Sequence, residues 1–464
     1  MKSIAIAAPP VPARRLQRLG DAMQRNAGVI RAVQWLVVVS YLFMVIVPAF
    51  LPLPPESAGI LDNLTRFAQF LFWGIWWPFV MLSMMIFGRL WCGVFCPEGA
   101  LSEWASRRSW SLGRPVPRWL KWGGWPFVAF AITTTYGQLV SVYEYPKAVL
   151  LVLGGSTVAA IGIGLIFGRG KRVWCRHLCP ASGVFALLAK VAPVHFQVDR
   201  ATWDRTPGQA PLDCAPLIDV RRMSGASECH ACGRCSGYRQ AVRLAARSPA
   251  WEILATPAEN VKTAEALTLI FGVLGIATAA FQWTVSPWFL LLKTSTAEWL
   301  VNHDYFLLLK DNAPWWLLTH YPEANDVFTW LDGLCVLAYI VGVGALLGGS
   351  IWAALALAAR CLDDEQLPWR RLTMALVPLG GISVFLGLTM LTVTLLKAEG
   401  IVLPWLPGIR MALLAFGLAA SGWLGLRLVA ASGSAWQRRL AAAACLTLPL
   451  IAMGGNWYQT IFIW

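Results

Sequence analysis

Residues 87–97 read FGRLWCGVFCP, and residues 167–180 read FGRGKRVWCRHLCP. Both stretches close a long apolar segment and share the order F-G-R, then W-C-x₃-C-P. Such a repeated pattern predicts that the first four membrane helices form a duplicated helical hairpin. Cysteines four apart share a helical face, and the proline after each pair breaks the helix. Helix ends that are equivalent in a repeat come together, so we expect convergence of Cys92, Cys96, Cys175 and Cys179.

These four cysteines form a candidate metal or redox site. Soft thiolates accept Cu(I), zinc or an iron–sulfur cluster, and the two pairs could instead cycle between dithiol and disulfide. Packing of helix ends alone is the simpler alternative. Basic side chains beside the pairs would lower the thiol pKa values, although membrane topology explains the same residues equally well. They are Arg89, Arg169, Lys171, Arg172 and Arg176.

Composition places the whole chain in a bilayer. The 464 residues are 57% hydrophobic and only 13% charged, and the mean hydropathy of +0.58 is too high for a soluble protein of this size. The formal net charge is +14. Its basic residues stand in short clusters between apolar segments rather than in a stripe with interleaved aromatic residues, which argues against a nucleic-acid partner.

The predicted fold class is an all-α polytopic membrane protein of about nine transmembrane helices with a small cytoplasmic ferredoxin-like insert. The apolar stretches that are long enough to cross about 30 Å of hydrocarbon are Val29–Phe50, Phe67–Phe87, Trp122–Val142, Ala148–Phe167, Ala264–Trp283, Trp330–Ala358, Leu372–Leu396, Met411–Leu428 and Leu440–Ile463.

The distribution of Lys and Arg predicts the topology. With nine helices, one side holds all 38 Lys and Arg residues except Arg66, Lys147, Lys293, Lys310, Lys397 and Arg410. That side should be the cytoplasm by the positive-inside rule. We therefore expect a multi-pass protein of a bacterial-type inner membrane, with its N-terminus in the cytoplasm and its C-terminus in the periplasm.

Four regions follow from this topology. Residues 1–28 form a cytoplasmic N-terminal segment, and 29–189 form a four-helix membrane domain with both Cys-x₃-Cys-Pro motifs. The polar stretch 190–262 is predicted to be a cytoplasmic 4Fe–4S domain, for the reasons given below. The last region, 263–464, is a membrane domain of about five helices with a periplasmic loop at 286–328, whose tryptophans and acidic residues are typical of interfacial helices.

A second cysteine motif lies in the polar stretch. Residues 229–235 read CHACGRC, a C-x₂-C-x₂-C run like that of bacterial ferredoxins, in which a fourth cysteine of the run binds the other cluster. Arg239 stands at that fourth position. Upstream, Cys214 precedes alanine and proline as the last cysteine of an earlier motif would, although Asp204–Pro211 contains no cysteine. Four thiolates also suit zinc, which is the main alternative to iron–sulfur.

Together, the paired Cys-x₃-Cys-Pro helix ends and the C-x₂-C-x₂-C run resemble a known family. It comprises the NapH, NosR and CcoG (also called RdxA or FixG) membrane polyferredoxins, and the resemblance covers roughly Phe67 to Arg243. The resemblance implies the ferredoxin exchange of ligands, in which three cysteines of one motif share a cluster with the last cysteine of the other. One 4Fe–4S cluster would then be bound by Cys214, Cys229, Cys232 and Cys235, and the companion cluster would be absent.

This resemblance favours electron transfer in support of a respiratory or periplasmic redox system. The expected partners are the lipid bilayer, a protein redox partner and a membrane quinol, for which His303 and His320 are a conceivable proton-accepting site. The chain would be an electron-transfer component rather than a stand-alone enzyme. One alternative is an assembly factor that binds or reduces copper. Another is a transporter or scaffold with a structural cluster, against which the scarcity of charges in the last five helices argues.

Overall fold

The structure is a computed structural model that describes residues 14–55, 57–206, 212 and 214–463. The first thirteen residues of the predicted N-terminal segment and most of the stretch Asp204–Pro211 lie outside the described residues. The helices are α1 (Arg14–Arg25), α2 (Ala27–Phe50), α3 (Leu64–Phe87), α4 (Pro97–Ser106), α5 (Trp125–Leu139), α6 (Pro146–Ile166), α7 (Val173–His177), α8 (Ser182–Val191), α9 (Arg200–Arg205), α10 (Trp251–Ala255), α11 (Thr263–Gln282), α12 (Pro287–Asn302), α13 (Trp330–Leu362), α14 (Trp369–Ala398), α15 (Leu406–Ala430) and α16 (Trp436–Phe462).

The predicted all-α polytopic membrane fold is confirmed. Within the described residues, eight helices are long and apolar enough to cross a membrane: α2, α3, α6, α11, α13, α14, α15 and α16. Local signals set their ends. Asn63 caps α3 by accepting hydrogen bonds from Thr65 N and Arg66 N, and Thr329 forms a reciprocal capping box with Asp332 at the start of α13.

The predicted third membrane helix, Trp122–Val142, differs from expectation. Only α5 is helical there, and its 15 residues span about 22 Å, less than the hydrocarbon thickness. Gly123 and Gly124 precede the helix, and Ser141 has a positive φ of 49° just after it, so the chain turns at both ends. Within the residues that the structure describes, the nine expected spanning helices therefore become eight long helices and the short α5.

Helix α5 nevertheless joins the two faces of the bundle. Its first turn lies beside Gly183, where a Cβ atom would be 3.3 Å from Pro126 Cβ. Its last residue, Leu139, accepts a hydrogen bond of 2.8 Å from Thr319 N. We call the face that carries the Cys-x₃-Cys-Pro segments the cysteine face and the other the opposite face. Following the described helices in order, α1 lies on the cysteine face and α16 ends on the opposite face.

The described residues of the stretch 190–262 form a small folded layer on the cysteine face. Strands β1 (Val194–Val198) and β2 (Val242–Ala246) pair antiparallel, with Val194 opposite Ala246. Their side chains share a core with Val220 and Met223. Helix α1 packs against β2 because Gly20 allows close approach: a Cβ there would lie 3.2 Å from Leu244 Cβ.

On the opposite face, the segment 286–328 covers the ends of the membrane helices. It contains α12 and the two short strands β3 (His320–Tyr321) and β4 (Asp326–Val327). Tyr321 stacks on Tyr145 with ring centroids 3.6 Å apart, and the Tyr145 hydroxyl donates to Asp326 at 2.7 Å. Trp288 and Trp299 are exposed on α12, as in an interfacial helix.

Candidate metal and redox site

The two Cys-x₃-Cys-Pro segments adopt similar local structures. In each, a glycine with positive φ follows the preceding helix, Gly88 at 63° and Gly168 at 65°. Each segment then forms the same backbone hydrogen bond, from Cys96 N to Trp91 O at 2.8 Å and from Cys179 N to Trp174 O at 3.0 Å. The repeat in the sequence is thus a repeat in backbone geometry.

The structure brings the four cysteines of these segments together, and we call them the membrane-edge cysteines. Gly99, one turn after Cys96, faces the other segment, and a Cβ on it would lie 3.5 Å from Cys175 Sγ and 3.6 Å from Cys92 O. Burial raises the pKa of the Cys96 thiol, and negative charge on Cys175 and Cys92 would raise it further. Burial likewise raises the pKa of the Cys179 thiol. Negative charge on Glu98, and then on the other three cysteines, raises this pKa further.

Arg172 holds the two segments to each other. It is 1% exposed, and its Nη1 donates to Cys92 O at 2.7 Å. Its Nε donates to Glu103 Oε2, also at 2.7 Å. Burial raises the pKa of the Cys175 thiol to about 12, and the positive charge of Arg172 partly offsets this increase. The guanidinium therefore stabilises negative charge on the Cys175 thiol.

The second set consists of Cys214, Cys229, Cys232 and Cys235, which we call the insert cysteines. The loop 229–235 curls through two residues with positive φ, Ala231 at 47° and Gly233 at 76°. Ala231 N donates to Cys229 Sγ at 3.3 Å. Burial raises the pKa of the Cys235 thiol, and charge on each of the other three insert cysteines would raise it further. Cys214 therefore lies beside the loop, although it precedes Cys229 by 15 positions in the chain.

Arg239, at the position of the missing fourth cysteine, has a packing role. Its Nη1 donates to Trp203 O at 3.2 Å, and its guanidinium lies 5.4 Å from the centre of the Trp203 ring. Its positive φ of 51° belongs to the turn that leads into β2.

The membrane-edge and insert cysteines are neighbours. A Cβ on Gly93, which directly follows Cys92, would stand 2.0 Å from His230 O and 2.8 Å from Cys232 N. Since both atoms belong to the backbone, only glycine permits this approach. The backbone of one cysteine loop thus lies directly against the backbone of the other.

A buried ion network joins the same two loops. Glu103 receives hydrogen bonds from both Nη atoms of Arg234, at 2.7 and 3.0 Å, in addition to that from Arg172. The pKa of Glu103 is lowered to about 2 because the attraction of Arg172 and Arg234 outweighs the opposing effect of burial, the largest single contribution. Arg89, which is also buried, donates to Ser182 Oγ of the second repeat and to Ser227 O beside the insert loop.

Sequence reasoning missed several residues of this region. Glu103 and Glu98 follow the first motif within seven residues of Cys96, but their partners are distant in the chain. Ser156 donates to Glu98 at 2.6 Å and Trp174 at 2.9 Å. Helix α1 also covers the insert loop, with Asp21 accepting from Ser236 at 2.9 Å. Glutamate directly after Cys-Pro was the one local signal that could have been noticed.

The donor sets suit iron–sulfur chemistry. Both consist of buried or partly buried thiols with backbone N–H donors to sulfur, from Gly99 to Cys96 at 3.4 Å and from Ala231 to Cys229, and arginines nearby would balance an anionic cluster. Within the described part of the chain, all cysteines are free thiols, and no three His, Cys, Asp or Glu side chains are close enough to hold one metal ion. A cluster spreads its thiolates over four irons, so its ligands stand farther apart than those of a single ion.

Comparison with known proteins agrees with this chemistry. The family described as a 4Fe–4S binding domain matches residues 69–115 and 151–198, which contain the two Cys-x₃-Cys-Pro segments. The regulatory protein NosR of Pseudomonas aeruginosa is 25% identical over 179 residues, which cover 35% of this chain and 25% of that protein. This chain therefore aligns with only a quarter of that relative's length. No solved structure matches.

The resemblance to NapH/NosR-type membrane polyferredoxins is thus confirmed. The same findings support an iron–sulfur electron-transfer role in a multi-pass membrane protein.

Proposed function

We propose that this chain transfers electrons through the membrane-edge and insert cysteines in series, in support of a respiratory or periplasmic redox system. The observation that carries the proposal is the backbone contact of Gly93 with His230 and Cys232. It joins two thiolate-rich sites within one buried region, an arrangement that suits electron exchange between them.

The insert cysteines would hold one 4Fe–4S cluster, with Cys214 as the ligand contributed from outside the C-x₂-C-x₂-C run. The membrane-edge cysteines would hold a second redox centre, for which a cluster fits their position in the matched 4Fe–4S binding domain. Such a centre accepts and returns one electron at a time. Zinc would satisfy the same thiolates but could not carry electrons.

Residues of the chain itself would tune and protect these centres. Arg89, Arg172 and Arg234 place positive charge next to the thiolates, which favours the anionic form of a bound cluster. Glu103 balances Arg172 and Arg234 and fixes their orientation. Helix α1 and the paired strands β1 and β2 pack against the loop of the insert cysteines, which would limit the access of oxygen and water to a cluster.

The orientation of the protein in the membrane indicates which redox partners can reach the two cysteine sites. We infer that the cysteine face is cytoplasmic, because nearly all Lys and Arg residues fall on that side of the bundle. The exceptions, which fall on the opposite face, are Arg66, Lys147, Lys293, Lys310, Lys397 and Arg410. The electron donor would be a quinol of the bilayer, and a protein redox partner would complete the chain.

Cysteine substitutions in anaerobically purified protein test the proposal. Absorption and electron paramagnetic resonance spectra should show a ferredoxin-type 4Fe–4S signal that Cys214→Ala abolishes as fully as Cys232→Ala does. Cys335→Ala, in a helix remote from both sites, is the matched control and should leave the signal intact. An unchanged signal in Cys214→Ala would refute the assignment of that ligand, and a protein that binds zinc but no iron would refute the function.

A further inference from the structure

A cavity of about 210 Å³ lies among the membrane helices directly beneath the membrane-edge cysteines. Side chains from α2, α3, α5, α6, α8, α11 and α14 line it, and so do Cys96 and Cys179. An engineered apolar cavity of about 150 Å³ accommodates benzene. The space is therefore large enough for one substituted six-membered ring.

The cavity has an aromatic wall. Trp73, Trp76 and Trp77 of α3 and Phe130 of α5 contribute flat faces. Trp76 also packs edge-on against Trp91, whose ring centre is 5.1 Å away. Such surfaces stack well on a planar conjugated ring. A flexible acyl chain would gain less from them.

The cavity also has polar features that an acyl chain would not use. Glu98 and Ser156 line it and are hydrogen-bonded to each other. A hydroxyl both donates and accepts hydrogen bonds, and a carboxyl group accepts them. These two side chains therefore suit an occupant that carries oxygen atoms on its ring.

The backbone of the lining helices is widened at the same place. Helix α3 contains a π-helical turn at Phe70–Trp76 and α6 contains one at Leu150–Gly154. Trp73, Trp76, Val152 and Leu153 of these turns line the cavity. Single π-turns often mark functional positions because they displace side chains from regular packing.

We propose that this cavity binds the ring of a membrane quinone or quinol, with a ring oxygen beside Ser156 and Glu98 and the ring edge towards Cys96 and Cys179. The inference rests on the proposed electron-transfer function, whose donor it places at the membrane-edge cysteines. The position of the cavity, its aromatic walls and the polar Glu98–Ser156 pair each match an apolar, planar carrier with carbonyl oxygens that arrives through the bilayer. His303, the alternative considered from the sequence, is exposed and bonded to Trp299 O at 2.7 Å.

Binding of a ubiquinone or menaquinone analogue to the full-length protein in nanodiscs tests this proposal. Val152→Trp should fill the cavity and weaken binding at least tenfold. Val158→Trp is the matched control, because Val158 lies on the same helix and is 69% exposed, and it should leave affinity unchanged. Ser156→Ala should weaken binding about fivefold through the loss of one hydrogen-bonding group.

Photolabelling with an azidoquinone gives a readout that does not depend on these variants. The label should map to peptides of α3 and α6 that line the cavity, and excess unlabelled quinone should compete with it. Labelling elsewhere, or a cavity that holds phospholipid acyl chains and is not displaced by quinone, would overturn the inference. If iron–sulfur spectra are intact while quinone fails to bind, only this inference fails; if the clusters are absent, the proposed function itself fails.

Discussion

Gly93 is the residue at which the two cysteine loops touch. Its importance cannot be seen in the local sequence, where it is simply one of the three residues between Cys92 and Cys96. In the folded chain it is the point where any side chain would meet the backbone of the insert loop. Residue-scale predictions therefore concern the contact at Gly93 and the charge network beside it.

Gly93→Ala should separate the two loops. The added Cβ would clash with His230 O, which cannot move without its loop, and overpacking of this kind costs about 1–3 kcal/mol. We expect a lower thermal unfolding temperature and slower electron equilibration between the two sites, measured by freeze-quench spectroscopy. Gly123→Ala, where a Cβ meets nothing within 4 Å, is the control. Wild-type equilibration in Gly93→Ala would contradict the series arrangement.

Glu103→Gln should leave Arg172 buried without its counter-charge. Removing one partner of a buried ion pair costs about 3–5 kcal/mol, so the thermal unfolding temperature should fall clearly. Loss of the nearby negative charge should also shift the midpoint potential of the neighbouring cluster positive, because reduction adds negative charge. The exposed residue on the same face, Glu259, provides the control Glu259→Gln. A negative shift of the midpoint potential, or no shift, would contradict an electrostatic effect of Glu103 on the cluster.

The acid limit of this network follows from the pKa of Glu103. Since the pKa is lowered to about 2, the carboxylate keeps its charge, and the stabilisation that depends on it, throughout the physiological range. That stabilisation is fully present above the ordinary glutamate pKa of 4.5 and is lost progressively as the pH falls from there to about 2. The network is thus a permanent structural link rather than a pH switch.

At the scale of elements, helix α1 packs on the insert. The sequence placed residues 1–28 in a separate N-terminal segment, whereas α1 packs on β2, and Met23 lies against Gly233 of the cysteine loop. The contact depends on Gly20, since a larger side chain would meet Ser236, Leu244 and Phe196. We infer that α1 is the lid over the insert cysteines.

Gly20→Leu should lift this lid. A Cβ already lies 2.9 Å from Ser236 Oγ, and the rest of the leucine side chain has no room. The iron–sulfur absorption of the purified variant should bleach several times faster in air than that of the wild type. Gly28→Leu tests the same change where nothing lies within 4 Å and should bleach at the wild-type rate. Equal bleaching of both variants would show that α1 does not shield the site.

On the scale of the whole molecule, the helices carry the cysteine sites on one face and the segment 286–328 on the other. The short helix α5 connects the two faces, because its ends contact opposite faces of the bundle. The apolar core continues from α3 and α8 into α11 and α13–α16. The last five long helices therefore pack against the helices that carry the cysteine sites and stabilise them.

The orientation of these faces is testable with reporter fusions in the full-length chain. Fusions after Ser111 and after Pro249 should be active as cytoplasmic reporters, and a fusion near Asn312 should be active only as a periplasmic reporter, since basic residues gather on the cysteine face. A periplasmic result at Pro249 would invert the protein and expose the insert cysteines to an oxidising compartment.

The sequence by itself determined those properties that depend on neighbouring residues. Hydropathy placed the long membrane helices, repeated letters identified the two Cys-x₃-Cys-Pro ends, and cysteine spacing identified the insert loop. Its one clear error in the helices was the length of α5. Hydropathy cannot register the turns that shorten this helix at Gly123, Gly124 and Ser141.

The tertiary structure alone decided which of these features meet. The contact of Gly93 with His230, the bridge of Glu103 between Arg172 and Arg234, and the cavity at Cys96 and Cys179 all join residues far apart in the chain. Hydropathy and spacing reflect local interactions along one helix or loop. Such contacts instead depend on how close-packed helices are directed and rotated, which is settled by the shapes of many side chains at once.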